Sequence, residues 1–152
     1  MSKITAIDAF LPLTDNLLTS GQPTREQFKL IAQLGVKTVI NLALETSPNA
    51  LPDEDQLVTD LGMEYLHIPV LWENPTREAL EKLMDALDGQ KEGKVLIHCA
   101  KNMRVSAFMA LYRIQRLGWR KETAFQQVYK IWDPAGNKTW REFIDSILEN
   151  HP

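Results

Sequence analysis

The sequence predicts an α/β fold, with one mainly parallel sheet of four to five strands and helices on both of its faces. Three observations predict it. Short runs rich in Val, Ile and Leu alternate with longer stretches of helical periodicity. Glycines stand where those periodic stretches end, and the connections are short. A length of 152 residues with 44% hydrophobic and 24% charged residues suits a single domain over 1–152 and excludes disordered or low-complexity chains.

The elements follow in order. LLTSGQP (17–23) reads as a short strand and a Gly-Pro turn. Thr24 opens a helix with Glu26 and Gln27 in its first turn, Phe28, Ile31, Ala32 and Leu34 on one face, and Gly35 as its stop. VKTVINL (36–42) is a buried strand, and 43–52 a loop. A helix over 53–61 is closed by Gly62. MEYLHIPV (63–70) is the next strand and LWENP (71–75) a loop. Thr76 caps a helix to Leu87, and 89–93 is a turn. KVLIHC (94–99) is the most apolar strand. Helices follow over 103–118, 121–132 and 139–148, the last two separated by a turn of Asp133, Pro134, Ala135, Gly136 and Asn137.

Composition then narrows the function. Net charge is −3, from 17 basic and 20 acidic groups, which points neither to nucleic acid nor to an anionic membrane surface. No apolar run approaches the roughly 18 residues of a membrane span. Asp8 and Asp15 break residues 1–16 as a signal peptide, so the expected location is cytoplasmic. One cysteine, Cys99, and three histidines, His67, His98 and His151, argue against a disulfide scaffold or a metal site, and no cofactor is expected.

Cys99 stands where the most apolar strand ends and a helix is about to begin. In parallel α/β sheets ligands sit at that end of the strands. Ala100, Lys101, Asn102 and Met103 present successive N–H groups at a helix N-terminus, an arrangement that binds anions and favours a thiolate over a thiol. Arg104 adds a bidentate fork suited to phosphate oxygens. A guanidinium in the first turn of a helix opposes the dipole unless an anion sits there.

These residues, IHCAKNMRVSAF (97–108), resemble the active-site loop of the cysteine-dependent protein tyrosine and dual-specificity phosphatase superfamily, in its small bacterial phosphatase-like branch. SGQPTREQFKLIAQLGVKTVINL and YLHIPVLWENPTREALEKLMDAL resemble the segments that precede that loop. The resemblance implies a dual-specificity-phosphatase-like fold and hydrolysis of a phosphoric monoester through a phosphocysteine on Cys99, with phosphate or sulfate bound at the loop. Ser106, seven positions after Cys99, takes the place of the hydroxyl that assists departure of the thiolate. Only four residues separate Cys99 from Arg104 where the usual pattern has five. Asn102 is the loop residue best able to adopt a positive φ. The four-residue spacing also fits a rhodanese-type sulfurtransferase with a Cys99 persulfide, and the short loop fits a catalytically dead phosphate-binding module.

The superfamily places a general acid on the loop after HIPV. That loop holds no Asp, so Glu73 is the candidate, with Asp53, Asp55 and Asp133 weaker ones. His98 is expected to hold the loop rather than act as a base. Trp72 is expected to line the pocket. Trp119, Trp132 and Trp140 are expected to pack the C-terminal helices, and Arg113, Arg116 and Arg120 to form a solvated face. Lys101 either draws an anionic substrate or is solvated, and Ser20, Gly21 and Gln22 either approach the site or only turn the chain.

Overall fold

The computed structural model describes residues 3–90 and 92–149. Lys91, in the expected 89–93 turn, and His151 lie outside the described residues, as do Met1 and Ser2 of the segment read for a signal peptide. Five strands, β1 (Leu11–Thr14), β2 (Leu17–Ser20), β3 (Val36–Asn41), β4 (Glu64–His67) and β5 (Lys94–His98), form one sheet in the order β1-β2-β5-β3-β4. β5 runs parallel to β2 and β3, and β3 parallel to β4; only β1 is antiparallel, on the edge beside β2. The helices are α1 (Arg25–Gln33), α2 (Glu54–Asp60), α3 (Arg77–Gly89), α4 (Met103–Leu117), α5 (Lys121–Val128) and α6 (Lys138–Glu149).

Period-two alternation in β5 divides the core. Leu96 faces Phe28 and Ile31 of α1, Val58 of α2 and the N-terminal Ile7. Val95 and Ile97 face the other way, toward residues of α3, α4, α5 and α6. Both faces are therefore covered, which is why β5 carries no polar residue between Lys94 and His98. α4 is buried along most of its length, from Arg104 to Ile114, and forms the spine of the larger layer.

Local signals account for most element ends. Thr24 and Gln27 form a reciprocal capping box on α1, and Thr76 accepts from Ala79 N on α3. Two expectations need correction. Leu11–Thr14 is a strand that periodicity did not reveal, because it is four residues long, carries Pro12 and pairs on one side only. The helix expected over 121–132 stops at Val128; Ile131 N and Trp132 N both donate to Val128 O, closing a turn ahead of Pro134.

Candidate active site

β5 ends at His98, and α4 begins five residues later, so the chain must reverse through Cys99, Ala100, Lys101 and Asn102. Asn102 makes that reversal in the left-handed region, at φ 64°, as the residue before α4. Its Nδ2 donates to Ala9 O (2.9 Å) and to Thr19 Oγ1 (3.1 Å), which fixes the turn to β2 and to the segment before β1. Asn102→Ala removes both bonds and forces a Cβ-bearing residue without a local polar partner into that conformation. The expected loss is about 2–3 kcal/mol. Asn102→Gly frees the backbone but loses the same two bonds. Thermal denaturation should rank wild type above Asn102→Gly and Asn102→Ala lowest; a glycine variant at least as stable as wild type would show that the two bonds contribute nothing.

The carbonyls of the loop are held on its outer side. Cys99 O faces Nδ1 of His98 (3.3 Å), and Ala100 O accepts from Gln22 N and Asn49 Nδ2 (both 3.2 Å). A planar trans peptide directs its N–H opposite to its C=O. Fixing those carbonyls therefore turns the N–H groups of Ala100 and Lys101 to the other side. Among the described residues, the N–H groups of Ala100, Lys101, Asn102 and Met103 donate to no protein group. Four successive free amides at the start of a 15-residue helix make a nest for an oxyanion.

Gly21 lets the strand approach this closely. A Cβ there would lie 2.8 Å from Ala100 O and 3.1 Å from Asp8 O, both backbone atoms that cannot yield. Ser20, Gly21 and Gln22 thus pack directly on the loop: Cys99 N donates to Ser20 O (3.4 Å), and Gly21 N to Asp8 O (2.7 Å).

Cys99 and Arg104 share a cavity of about 200 Å³ with Trp72, Ala100, Lys101 and Met103. Cys99 is 1% exposed and Arg104 8%. Arg104 Nη1 donates to Val70 O (2.8 Å), which steers the guanidinium across the layer to the segment after β4. Trp72, in the loop that continues this segment, also lines the cavity. Its ring lies 5.3 Å from that of Trp132 and 5.5 Å from that of Trp140, and Trp140 Nε1 donates to Trp72 O (2.9 Å).

Ser106 Oγ donates to Met103 O (3.0 Å) and accepts from Trp132 Nε1 (3.1 Å). Glu73 is exposed, in the tight turn closed by the Leu71–Asn74 bridge next to Trp72, and its side chain does not line the cavity. Asp53 pairs with Arg25, Asp55 is exposed in the first turn of α2, and Asp133 caps the turn at Pro134–Gly136. Lys101 is exposed and pairs with Asp8 (3.3 Å). Arg113 departs from the expected solvated face: it is buried, with its guanidinium 4.2 Å from the Trp119 ring, because α4 is covered by other helices on this side. Arg116 pairs with Asp85 and Asp88.

Sequence reasoning missed four contributors: Val70 O, Asn49, the Asp8–Ala9 segment and Glu54. The first three act through backbone atoms or long-range contacts and leave no local motif. Glu54 is 4% exposed, and its carboxylate meets His98 Nε2 (2.7 Å) and Gln22 Nε2 (2.6 Å). Its place at a helix start is the only signal, and it reads equally as an ordinary first-turn acid.

A family model described as a DSP-PTPase phosphatase fused to NAD+ kinase matches residues 12–141. The dual specificity protein phosphatase TpbA of Pseudomonas aeruginosa UCBPP-PA14 is 28% identical over 123 residues, covering 78% of this chain and 52% of TpbA. The chain thus spans about half the length of the curated relatives it matches. A solved DUF442 protein of Shewanella putrefaciens CN-32, assigned provisionally as a phosphatase, superposes with a TM-score of 0.88 at 36% identity, over 97% of this chain and 96% of that one. TpbA in complex with phosphotyrosine shares the fold, with a TM-score of 0.73 at 20% identity over 97% of this chain and 91% of that one.

Proposed function

The chain belongs to the DSP-PTPase phosphatase family, and on that premise we propose that it hydrolyses phosphoric monoesters through a phosphocysteine on Cys99. The observation that carries the reading is the shared cavity: Cys99 and Arg104 line one concave space beside four free amides. The amides and the guanidinium hold the three non-bridging oxygens of a phosphate. The Cys99 sulfur then faces phosphorus opposite the ester oxygen. Attack forms the S–P bond as the P–O ester bond breaks, and water later cleaves the S–P bond to release phosphate.

Charge spreading over the equatorial oxygens is met by donors already in place, so little reorganisation accompanies the transition state. Glu73 is the proposed donor of a proton to the leaving oxygen, from the turn that carries Trp72. Ser106 is proposed to assist thiolate departure by turning its one hydroxyl proton from Met103 O to the sulfur. No described helix is long and apolar enough to cross a membrane. A cytoplasmic setting, where a lone thiol stays reduced, completes the proposal.

The test is release of p-nitrophenol from p-nitrophenyl phosphate with a metal chelator present, alongside intact-mass detection of a phosphorylated Cys99. Turnover blocked by vanadate is expected. Thiosulfate-to-cyanide transfer with a persulfide mass on Cys99 and no phosphatase turnover would overturn the reading, as would tight phosphate-ester binding without turnover.

A further inference from the structure

We infer that Glu54 is a positioning residue for the nucleophile: its carboxylate holds His98 as a charged partner of Cys99 O, on the side of the loop away from the free amides. The inference rests on Cys99 being the nucleophile of the proposed reaction.

The contacts form a closed chain. One Glu54 oxygen accepts from Gln22 Nε2 (2.6 Å) and the other faces His98 Nε2 (2.7 Å). Gln22 N donates to Ala100 O (3.2 Å), and His98 Nδ1 faces Cys99 O (3.3 Å). A carbonyl and a carboxylate only accept, so the proposed role requires a proton on each ring nitrogen of His98, and hence a positive ring. His98 is fully buried, so that charge needs the Glu54 carboxylate as its partner. The resulting ion pair has its positive end on Cys99 O and its negative end one ring farther from the loop.

Burial alone would push the Glu54 carboxyl up. Hydrogen bonds from His98, Gln22 and Tyr65, with the charge of His98, more than offset burial and hold it below the usual glutamate value. Burial first, then the nearby Glu54 carboxylate, push the Tyr65 hydroxyl well above the ordinary tyrosine value, so it stays a neutral donor. The other ionisable groups around this chain are Glu45, Asp55 and His67, which line one cavity with Glu54 and Tyr65, Arg104 on α4, and the Lys101–Asp8 pair at the loop.

Glu54→Gln separates charge from shape. Its amide oxygen can accept from Gln22 while its NH₂ donates to an unprotonated His98 Nε2, so every hydrogen bond has a counterpart and only the ion pair is lost. The readout is the rate of Cys99 alkylation by iodoacetamide from about pH 4 to 9. The pH of half-maximal alkylation is expected to rise by about half to one unit, because a cation beside the loop has been removed. The acid limb of kcat/KM should move with it. Superimposable profiles for the two proteins would overturn the inference and leave Glu54 a structural hydrogen-bond partner. Gln22→Ala, which keeps the charge, is expected to lower the melting temperature without moving the profile.

Should Glu54→Gln fail to fold, imidazole ¹⁵N spectra of the wild-type protein decide the matter. Both His98 ring nitrogens protonated at neutral pH is the expected result, and a single protonated nitrogen overturns it. Alkylation is read without turnover, so a protein inactive on p-nitrophenyl phosphate would refute the phosphatase reading while the profile still tested Glu54.

Discussion

Cys99→Ser is expected to reduce turnover of p-nitrophenyl phosphate by more than about 10⁴-fold while leaving the fold intact. A hydroxyl is smaller than a thiol and fits the 1%-exposed site, at the modest cost of placing a more polar group among apolar neighbours. The chemistry changes greatly. The proposed reaction needs a sulfur nucleophile, and a serine hydroxyl is a far weaker one. Phosphate binding should survive, because the amides and Arg104 are untouched. The measurement is a single-turnover assay with intact-mass detection, together with the rise in melting temperature caused by inorganic phosphate. Wild-type turnover in the serine protein would remove Cys99 from the mechanism.

Arg104→Lys is expected to lower kcat by about 10²–10³-fold, the loss that follows removal of one preorganised oxyanion donor. Arg104 uses Nη1 on Val70 O, and that bond orients the remaining donors of a planar fork toward the cavity. A lysine ammonium is a single point charge. It can satisfy Val70 O or reach a phosphate oxygen, but it does not reproduce two parallel bonds. The stabilisation of the protein by phosphate or vanadate should shrink in the same variant, since the gain in apparent stability from a ligand that binds the folded state grows with its affinity. Unchanged kcat and unchanged thermal shift would mean that the four-residue spacing places Arg104 outside the anion's reach.

Much of the fold was legible in the chain. The capping box at Thr24 and Gln27, the Thr76 cap, the β-branched runs of β3 and β5 and the glycine stops depend on neighbours within about one helical turn or strand face. β1 was not legible, since its pairing partner β2 supplies the reason for its strand geometry and Pro12 speaks against it. The end of α5 at Val128 was likewise set by a turn that feeds Trp132 into the tryptophan cluster.

For the site, the sequence by itself determined the arrangement of Cys99, the short amide loop and Arg104, together with the need for a left-handed residue that Asn102 meets. These are properties of six consecutive residues and of the backbone between a strand and a helix. The tertiary structure alone decided which way the loop carbonyls face, what Arg104 leans on, and which carboxylate sits behind His98. Those outcomes require Gln22, Asn49, Glu54 and Val70, from four separate segments, to arrive beside residues 98–104. Hydrogen bonds act over about 3 Å in space whatever the separation along the chain, so no local pattern could have encoded them.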